Sequence, residues 1–210
     1  MTTTSPDAIG LDVFYPIVPD IDWLKRLVPL GVRTVQLRAK EMDEHDLRAQ
    51  ITESLAVCAD HSCQLIVNDH WQLAIEAGAD FVHLGQEDLA DADLAAISAA
   101  GIKLGLSTHS HEELDIALAA NPEYVALGPV YETKLKVMKW APQGLERVTD
   151  WKRRIGDLPL VGIAGITVER ADGVLAAGAQ SVAVITDFFT HADPELRVRQ
   201  WLEWAASKRQ

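Results

Sequence analysis

Residues 65–89, LIVNDHWQLAIEAGADFVHLGQEDL, contain two short apolar runs separated by a helical segment. The runs are 65–67 and 81–84, and each is followed by a turn that carries a carboxylate, Asp69 after the first and Asp88 after the second. This spacing predicts a strand–helix–strand unit with parallel strands. Because neighbouring parallel strands end at the same edge of a sheet or barrel, we expect both carboxylates on one side of the protein.

The same alternation of strand and helix extends along the whole chain. Helical spacing of apolar residues fills the intervals, most clearly at 43–59, 110–119 and 194–206. The β-rich runs are 13–18, 34–38, 65–67, 81–84, 103–107, 124–127, 160–163 and 181–185. Eight such units predict an α/β fold, a single-domain (β/α)₈ (TIM) barrel over residues 11–210, preceded by a disordered tail over 1–10. A doubly wound open sheet is the alternative, since counting strands does not establish closure.

Composition narrows the class of partner. The chain has 210 residues with 31 acidic and 19 basic side chains, a formal net charge of −12, which argues against nucleic acid or an anionic membrane as partner. No apolar run approaches the roughly 20 residues of a membrane span, and MTTTSPDAIG lacks the pattern of a secretory signal. Cys58 and Cys63 form neither a disulfide framework nor a metal knuckle. We therefore expect a cytoplasmic protein acting on small molecules, and the oligomeric state stays open.

Polar side chains collect at the ends of the predicted strands. The second strand brings Gln36, Arg38 and Lys40, and the fifth brings Ser107. Taken singly, Asp69 or Asp88 is better explained as a helix N-cap than as a metal ligand. Together, two carboxylates facing two cations, an amide and a hydroxyl favour a Mg²⁺–diphosphate site.

A second, smaller phosphate site is predicted behind strands seven and eight. Backbone N–H groups near Gly165 and after Ile185 suit such a phosphate. The loop over 128–143 adds a positive charge there, since it contains Lys134, Lys136 and Lys139 against a single acid, Glu132. Its length is typical of a functional loop, and we expect it to cover bound anions.

The sequence resembles the thiamine-phosphate synthase (thiamine-phosphate pyrophosphorylase) family. The matching stretches are VQLRAK, VNDHWQLAIEAGADFVHLGQEDL, LGLSTHS, YVALGPVY, APQGLE and VGIAGIT. The resemblance implies a Mg²⁺-dependent transferase. It would couple 4-amino-2-methyl-5-(diphosphooxymethyl)pyrimidine with 4-methyl-5-(2-phosphoethyl)thiazole, or with the carboxylated precursor of that thiazole. The products would be thiamine phosphate and diphosphate.

The resemblance also implies a role for individual residues. Asp69 and Asp88 would hold the Mg²⁺. The pyrimidine diphosphate would be held by Gln36, Leu37, Arg38, Ala39, Lys40, Asn68, Ser107 and Lys136. Of these, the catalytic group would be Arg38, Lys40, Ser107 and Lys136. The thiazole phosphate would be held by Thr133, Lys134, Leu135, Gly165, Ile185 and Thr186.

This sequence departs from the family pattern on the thiazole side. Leu135 replaces a hydroxyl residue, Ala164-Gly165 stands for a Gly-Gly pair, and Ile185-Thr186 stands for Val-Ser. Two other functions remain open. A related thiazole tautomerase would have its acid–base histidine where Pro129 stands here, and a non-catalytic thiamine-precursor sensor would bind the same ligands without turnover.

Overall fold

Eight parallel strands follow one another around a closed barrel in chain order. The computed structural model describes residues 11–40, 42–133 and 140–209, so the predicted tail over 1–10 lies outside the described residues. The first and last strands pair in parallel, with Phe14 opposite Val182, and this pairing closes the barrel. The open-sheet alternative is therefore wrong. The strands are β1 Phe14–Val18, β2 Thr34–Leu37, β3 Gln64–Asn68, β4 Phe81–Leu84, β5 Lys103–Thr108, β6 Tyr124–Leu127, β7 Leu160–Ile163 and β8 Ser181–Val184.

Helices fill the connections and form an outer ring. They are α1 Ile21–Leu27, α2 Glu44–Asp60, α3 Trp71–Ala77, α4 Gln86–Asp91, α5 Leu94–Ala99, α6 His111–Ala119, α7 Gly144–Ile155, α8 Val168–Ala176, α9 Thr186–Phe189 and α10 Pro194–Ala206, with a 3₁₀ turn at Val28–Leu30. The three helices predicted from apolar spacing are confirmed to within one residue. Their starts are fixed by side-chain caps, since Asp43, Ser110 and Asp193 each accept a hydrogen bond from a backbone N–H of the first turn.

Two apolar layers explain why the strands read as nearly continuous apolar runs. One face of each strand packs against the helices, and the other face points into the barrel. The interior layer consists of Tyr15, Ile17, Ile66, Phe81, Tyr124, Ala126, Val161 and Ala183. It fills the lower part of the barrel with side chains, so that polar residues nearer the carboxyl ends of the strands lie between this layer and the mouth.

Cys58 and Cys63 are free thiols, and both are buried. In the described part of the chain, none of the helices combines the length and the apolar character needed to cross a bilayer.

Candidate active site at the barrel mouth

Asp69 and Asp88 lie after successive strands, as the opening sequence pattern predicts. Asp69 follows β3 with a left-handed backbone, φ 63°, and its N–H donates to the carbonyl of His83 at 2.9 Å. Asp88 lies within the first turn of α4, whose N-cap is Gly85. The N-cap of α3 is His70. The N-cap explanation is therefore wrong for both carboxylates. A left-handed aspartate is uncommon, and such backbones cluster at functional sites.

The carboxyl group of Asp88 is close enough to Asp69 to act on it by charge and by a hydrogen bond. The pKa of Asp69 is raised above its ordinary 3.8, first by burial and then by the charge of Asp88 and a hydrogen bond to it. The charges of Lys40 and Arg38 act in the opposite direction. The structure thus brings together two of the predicted cations and both predicted acids. A pair of carboxylates that repel each other is stabilised by a bound cation.

Strand β2 contributes side chains to two different layers. Gln36 is only 2% exposed, and its Nε2 donates to Tyr15 Oη at 2.6 Å inside the barrel. Leu37 and Ala39 are buried in the layer between strands and helices. Strand alternation turns both side chains away from the mouth, and their role in binding stays a prediction. A ligand there has access to their backbone groups alone.

Asn68 and Ser107 complete the side of the mouth that adjoins the acids. Asn68 ends β3 and is 5% exposed, two residues after the interior residue Ile66. Ser107 lies near the end of β5, where its carbonyl accepts from Gln86 Nε2 at 2.7 Å and its Oγ is 2.8 Å from His83 Nε2.

His83 and two tyrosines connect to this site although sequence reasoning assigned them no functional role. His83 Nδ1 lies 2.7 Å from Tyr124 Oη, and the hydroxyls of Tyr124 and Tyr15 are 3.0 Å apart. Burial, with a smaller effect of the Arg38 charge, lowers the pKa of His83 to about 3, so the imidazole is neutral at physiological pH. Both ring nitrogens of His83 thus have hydrogen-bond partners, and one of these partners, Ser107, is a predicted site residue. A polar residue on the interior face of an apolar strand was the available signal.

The opposite side of the mouth is built by the ends of β6, β7 and β8. After β6 the chain pairs with the end of β7, through Val130 N–H to Ile163 O at 2.9 Å and Tyr131 N–H to Ala164 O at 3.1 Å. Ala164 and Gly165 both have left-handed backbones, with φ 74° and 68°. The first residues of the loop after β6 are thus fixed against β7, and residues 134–139 of the expected covering loop lie outside the described residues.

The loop after β6 lies so close to position 165 that only glycine fits there. A Cβ added there would lie 2.5 Å from Glu132 O and 2.7 Å from Tyr131 Cβ. Thr133 follows directly in the chain, so the loop brings it towards Gly165. The predicted residues Lys134, Leu135 and Lys136 lie outside the described residues.

The end of β8 supplies the remaining predicted residues. Ile185 packs against the interior layer and precedes α9, which begins at Thr186. The next residue, Asp187, accepts hydrogen bonds from Arg197 and from Trp201 Nε1 at 2.8 Å, which fixes the start of α9 against α10. Because β6, β7 and β8 are neighbours, Thr133, Gly165 and Thr186 follow adjacent strands of the barrel.

The left-handed backbones of Ala164 and Gly165 lead us to expect opposite effects on stability from two substitutions. Gly165→Ala should lower the free energy of unfolding by about 1–3 kcal/mol, because the added methyl collides with backbone and the residue keeps a strained φ. Ala164→Gly is the matched control and should leave that free energy unchanged or raise it by up to about 1 kcal/mol. Chemical denaturation of the three proteins measures both effects. Equal stability of all three would contradict the strain assigned here.

Comparison with known proteins identifies the family of this chain. The family model described as thiamine monophosphate synthase matches residues 14–188. The chain belongs to this family. A thiamine-phosphate synthase of Rhizobium etli is 62% identical over 192 residues, which cover 91% of this chain and 94% of the relative. One from Neisseria meningitidis serogroup A is 47% identical, covering 89% and 91% respectively.

A solved structure within the family has the same architecture. Thiamine phosphate pyrophosphorylase from Pyrococcus furiosus superimposes with a TM-score of 0.84 at 22% identity, covering 96% of this chain and 99% of the other. At that identity the likeness supports the barrel fold alone. The family assignment rests on the family model and the sequence relatives.

Proposed function

We propose that this chain is the transferase for which its sequence relatives are named. It joins 4-amino-2-methyl-5-(diphosphooxymethyl)pyrimidine to 4-methyl-5-(2-phosphoethyl)thiazole and releases thiamine phosphate and diphosphate. The observation that carries the proposal is the grouping of Asp69, Asp88, Arg38 and Lys40 at one side of the barrel mouth. Two acids and two cations in this arrangement suit a diphosphate with a divalent cation.

The donor set of this site fits Mg²⁺. Among residues 11–40, 42–133 and 140–209, no group of three or more His, Cys, Asp or Glu side chains is placed to hold a metal ion. Mg²⁺ commonly binds proteins through one or two carboxylates and completes its octahedron with substrate phosphates and water. Asp69 and Asp88 would hold it, and when bound it would neutralise charge on the departing diphosphate. The raised pKa of Asp69 supports this assignment, because the carboxylate pair gains from a cation.

The reaction needs charge stabilisation and positioning rather than proton removal. The bond between the pyrimidine methylene carbon and the diphosphate oxygen breaks, and the electron pair leaves with the diphosphate. The thiazole nitrogen then uses its lone pair to form the new C–N bond. Arg38 and Lys40 stabilise the negative charge that develops on the leaving group, and Ser107 donates a hydrogen bond to it.

The two substrates occupy different sides of the mouth. Gln36, Asn68 and Ser107, with the backbone of Leu37 and Ala39, hold the pyrimidine diphosphate beside the two acids. Thr133, Gly165, Ile185 and Thr186 hold the thiazole phosphate at the ends of β6 to β8, where its nitrogen faces the reacting carbon. Lys134, Leu135 and Lys136 are assigned by family resemblance alone.

A turnover assay tests this proposal. The protein should form thiamine phosphate only when both substrates and Mg²⁺ are present, and chelation should remove at least about 99% of the rate, the scale of losing the main charge-stabilising group. Binding of both ligands without turnover would instead identify a sensor. Turnover of the thiazole alone, without the pyrimidine diphosphate, would identify a tautomerase.

A further inference from the structure

Five side chains form a hydrogen-bonded row across the barrel interior, and both ends of the row are residues of the proposed diphosphate site. Gln36 Nε2 donates to Tyr15 Oη at 2.6 Å, and the Tyr15 and Tyr124 hydroxyls are 3.0 Å apart. Tyr124 Oη is 2.7 Å from His83 Nδ1, and His83 Nε2 is 2.8 Å from Ser107 Oγ. The row thus begins at the amide of Gln36 on β2 and ends at a hydroxyl on β5.

The backbone is shaped to admit the middle of this row. Gly105 of β5 lies between its register partners His83 of β4 and Tyr124 of β6. A Cβ at Gly105 would lie 2.1 Å from Tyr124 Cζ and 2.5 Å from its Oη. The Tyr124 ring therefore crosses over β5 through space that a side chain would occupy, and it stacks on His83 with centroids 5.5 Å apart.

Hydrogen-bond chemistry allows the row two directions, and the first of them starts with Tyr15 donating to Tyr124. Tyr15 Oη accepts from Gln36, so its own hydrogen is available for Tyr124. In this first direction Tyr124 accepts from Tyr15 and donates to His83 Nδ1. An imidazole that accepts at Nδ1 carries its proton at Nε2, and it donates from there to Ser107 Oγ. The hydrogen of Ser107 is left free to donate upwards to a ligand.

We propose that Tyr15, Tyr124 and His83 are positioning residues that hold Gln36 and Ser107 in one donor–acceptor arrangement. In this arrangement Gln36 presents its carbonyl oxygen to the mouth, as an acceptor for the amino group of the pyrimidine, and Ser107 presents a hydrogen-bond donor to the diphosphate. The inference rests on the proposed function and deepens it. It assigns a role in substrate binding to three buried residues that do not themselves reach the ligand.

The opposite direction suits this site poorly. Ser107 would then donate to His83, and its oxygen would face the diphosphate as an acceptor. Two acceptors in contact without a hydrogen between them repel, and an uncompensated buried polar contact costs about 1–3 kcal/mol. An anionic ligand thus favours the direction in which the hydroxyl hydrogen points to the mouth.

Tyr124→Phe removes the central link with little change in volume. We expect the KM for the pyrimidine diphosphate to rise about 10-fold, the scale of one hydrogen bond to a charged group, while the KM for the thiazole phosphate changes less than twofold. The same substitution made in a Ser107→Ala background should raise the KM less than twofold further, because Tyr124 acts through Ser107.

Thr108→Val is the matched control. Thr108 neighbours Ser107 on β5, is fully buried, and bonds Ala126 O and Trp151 Nε1 on the other face of the strand. The Thr108→Val variant should lose stability, as the Tyr124→Phe variant does, but its two KM values should stay within twofold of the wild-type values. If Tyr124→Phe behaves like Thr108→Val, or raises both KM values equally, the positioning role is overturned.

The tautomer of His83 gives a second test that needs no variant. In ¹⁵N spectra of the wild-type protein with imidazole signals assigned through their bonded carbons, His83 should carry its proton on Nε2. A proton on Nδ1 would overturn the direction proposed here. This measurement is independent of turnover, so an inactive wild type would refute the proposed function and still leave the hydrogen-bond row to be decided by the tautomer.

Discussion

Asp69→Asn and Asp88→Asn should each lower kcat by about 10²-fold or more, the scale seen when a group that stabilises developing charge is lost. Both changes keep the shape of the side chain and remove one charge from the proposed Mg²⁺ site. Asparagine also tolerates the left-handed backbone at position 69, so the comparison isolates the charge. The double variant should be little worse than either single one, because one remaining carboxylate does not hold the ion. Steady-state kinetics over a range of Mg²⁺ concentrations measure the effect.

The same variants should separate activity from stability. Because the pKa of Asp69 is raised, the folded protein binds this proton more tightly than the unfolded chain does. Stability then falls as pH rises through the window from 3.8 to the folded pKa, and at neutral pH the charge destabilises the fold. In chelator, Asp69→Asn should therefore melt at a higher temperature than the wild type at pH 7.

Added Mg²⁺ supplies the control for this experiment. It should raise the melting temperature of the wild type and leave that of Asp69→Asn nearly unchanged. If both single variants keep full activity in chelator-treated buffer, the carboxylates are not the metal site.

Arg38→Met should lower kcat/KM for the pyrimidine diphosphate by about 10²-fold or more, since a charge-assisted contact to the leaving group is lost. The charge of Arg38 also helps to lower the pKa of Asp69. Without it, Asp69 holds its proton to higher pH, and the proton competes with the metal. The acid limb of the pH–rate profile should accordingly move to higher pH.

Arg48→Met is the appropriate control for Arg38→Met. Arg48 lies on α2, where it pairs at the surface with Glu44 and Glu76. Its removal should change kcat/KM less than twofold and leave the pH profile in place. An equal loss for both substrates in Arg38→Met, without a shift of the acid limb, would count against the placement of Arg38 beside the diphosphate.

The fold was predictable from the sequence because the strands are apolar on both faces. All eight runs are strands in the structure, with ends that differ by one residue at most. The apolar pattern gives the position of each strand in the sequence. The helix between the strands at 65–67 and 81–84 allows these two strands to run parallel. Closure of the barrel could not be predicted from local patterns, because the pairing of β1 with β8 joins residues more than 160 positions apart.

The site was predictable where it depends on the ends of strands. Asp69 and Asp88 come together because β3 and β4 are neighbours, which follows from their order in the chain. The sequence did not show that the side chains of Leu37 and Ala39 point away from the mouth while those of Gln36 and Arg38 point towards it. Alternation sorts residues into two faces, but it does not say which face of an apolar strand points into the barrel.

The row from Gln36 to Ser107 was beyond sequence reasoning for a related reason. Its five members come from β1, β2, β4, β5 and β6, and no local pattern reports that distant hydroxyls meet. Gly105 was the available clue, since glycine in a strand interior often marks a close approach.

Gly105 also restricts how this barrel can change through mutation. Any side chain at position 105 displaces the ring of Tyr124, and a smaller residue at position 124 leaves an unfilled space over Gly105. A side chain at position 105 alone, or a smaller residue at position 124 alone, therefore lowers stability, and a paired exchange of both residues restores packing. We therefore expect positions 105 and 124 either to stay unchanged or to change together among descendants of this sequence.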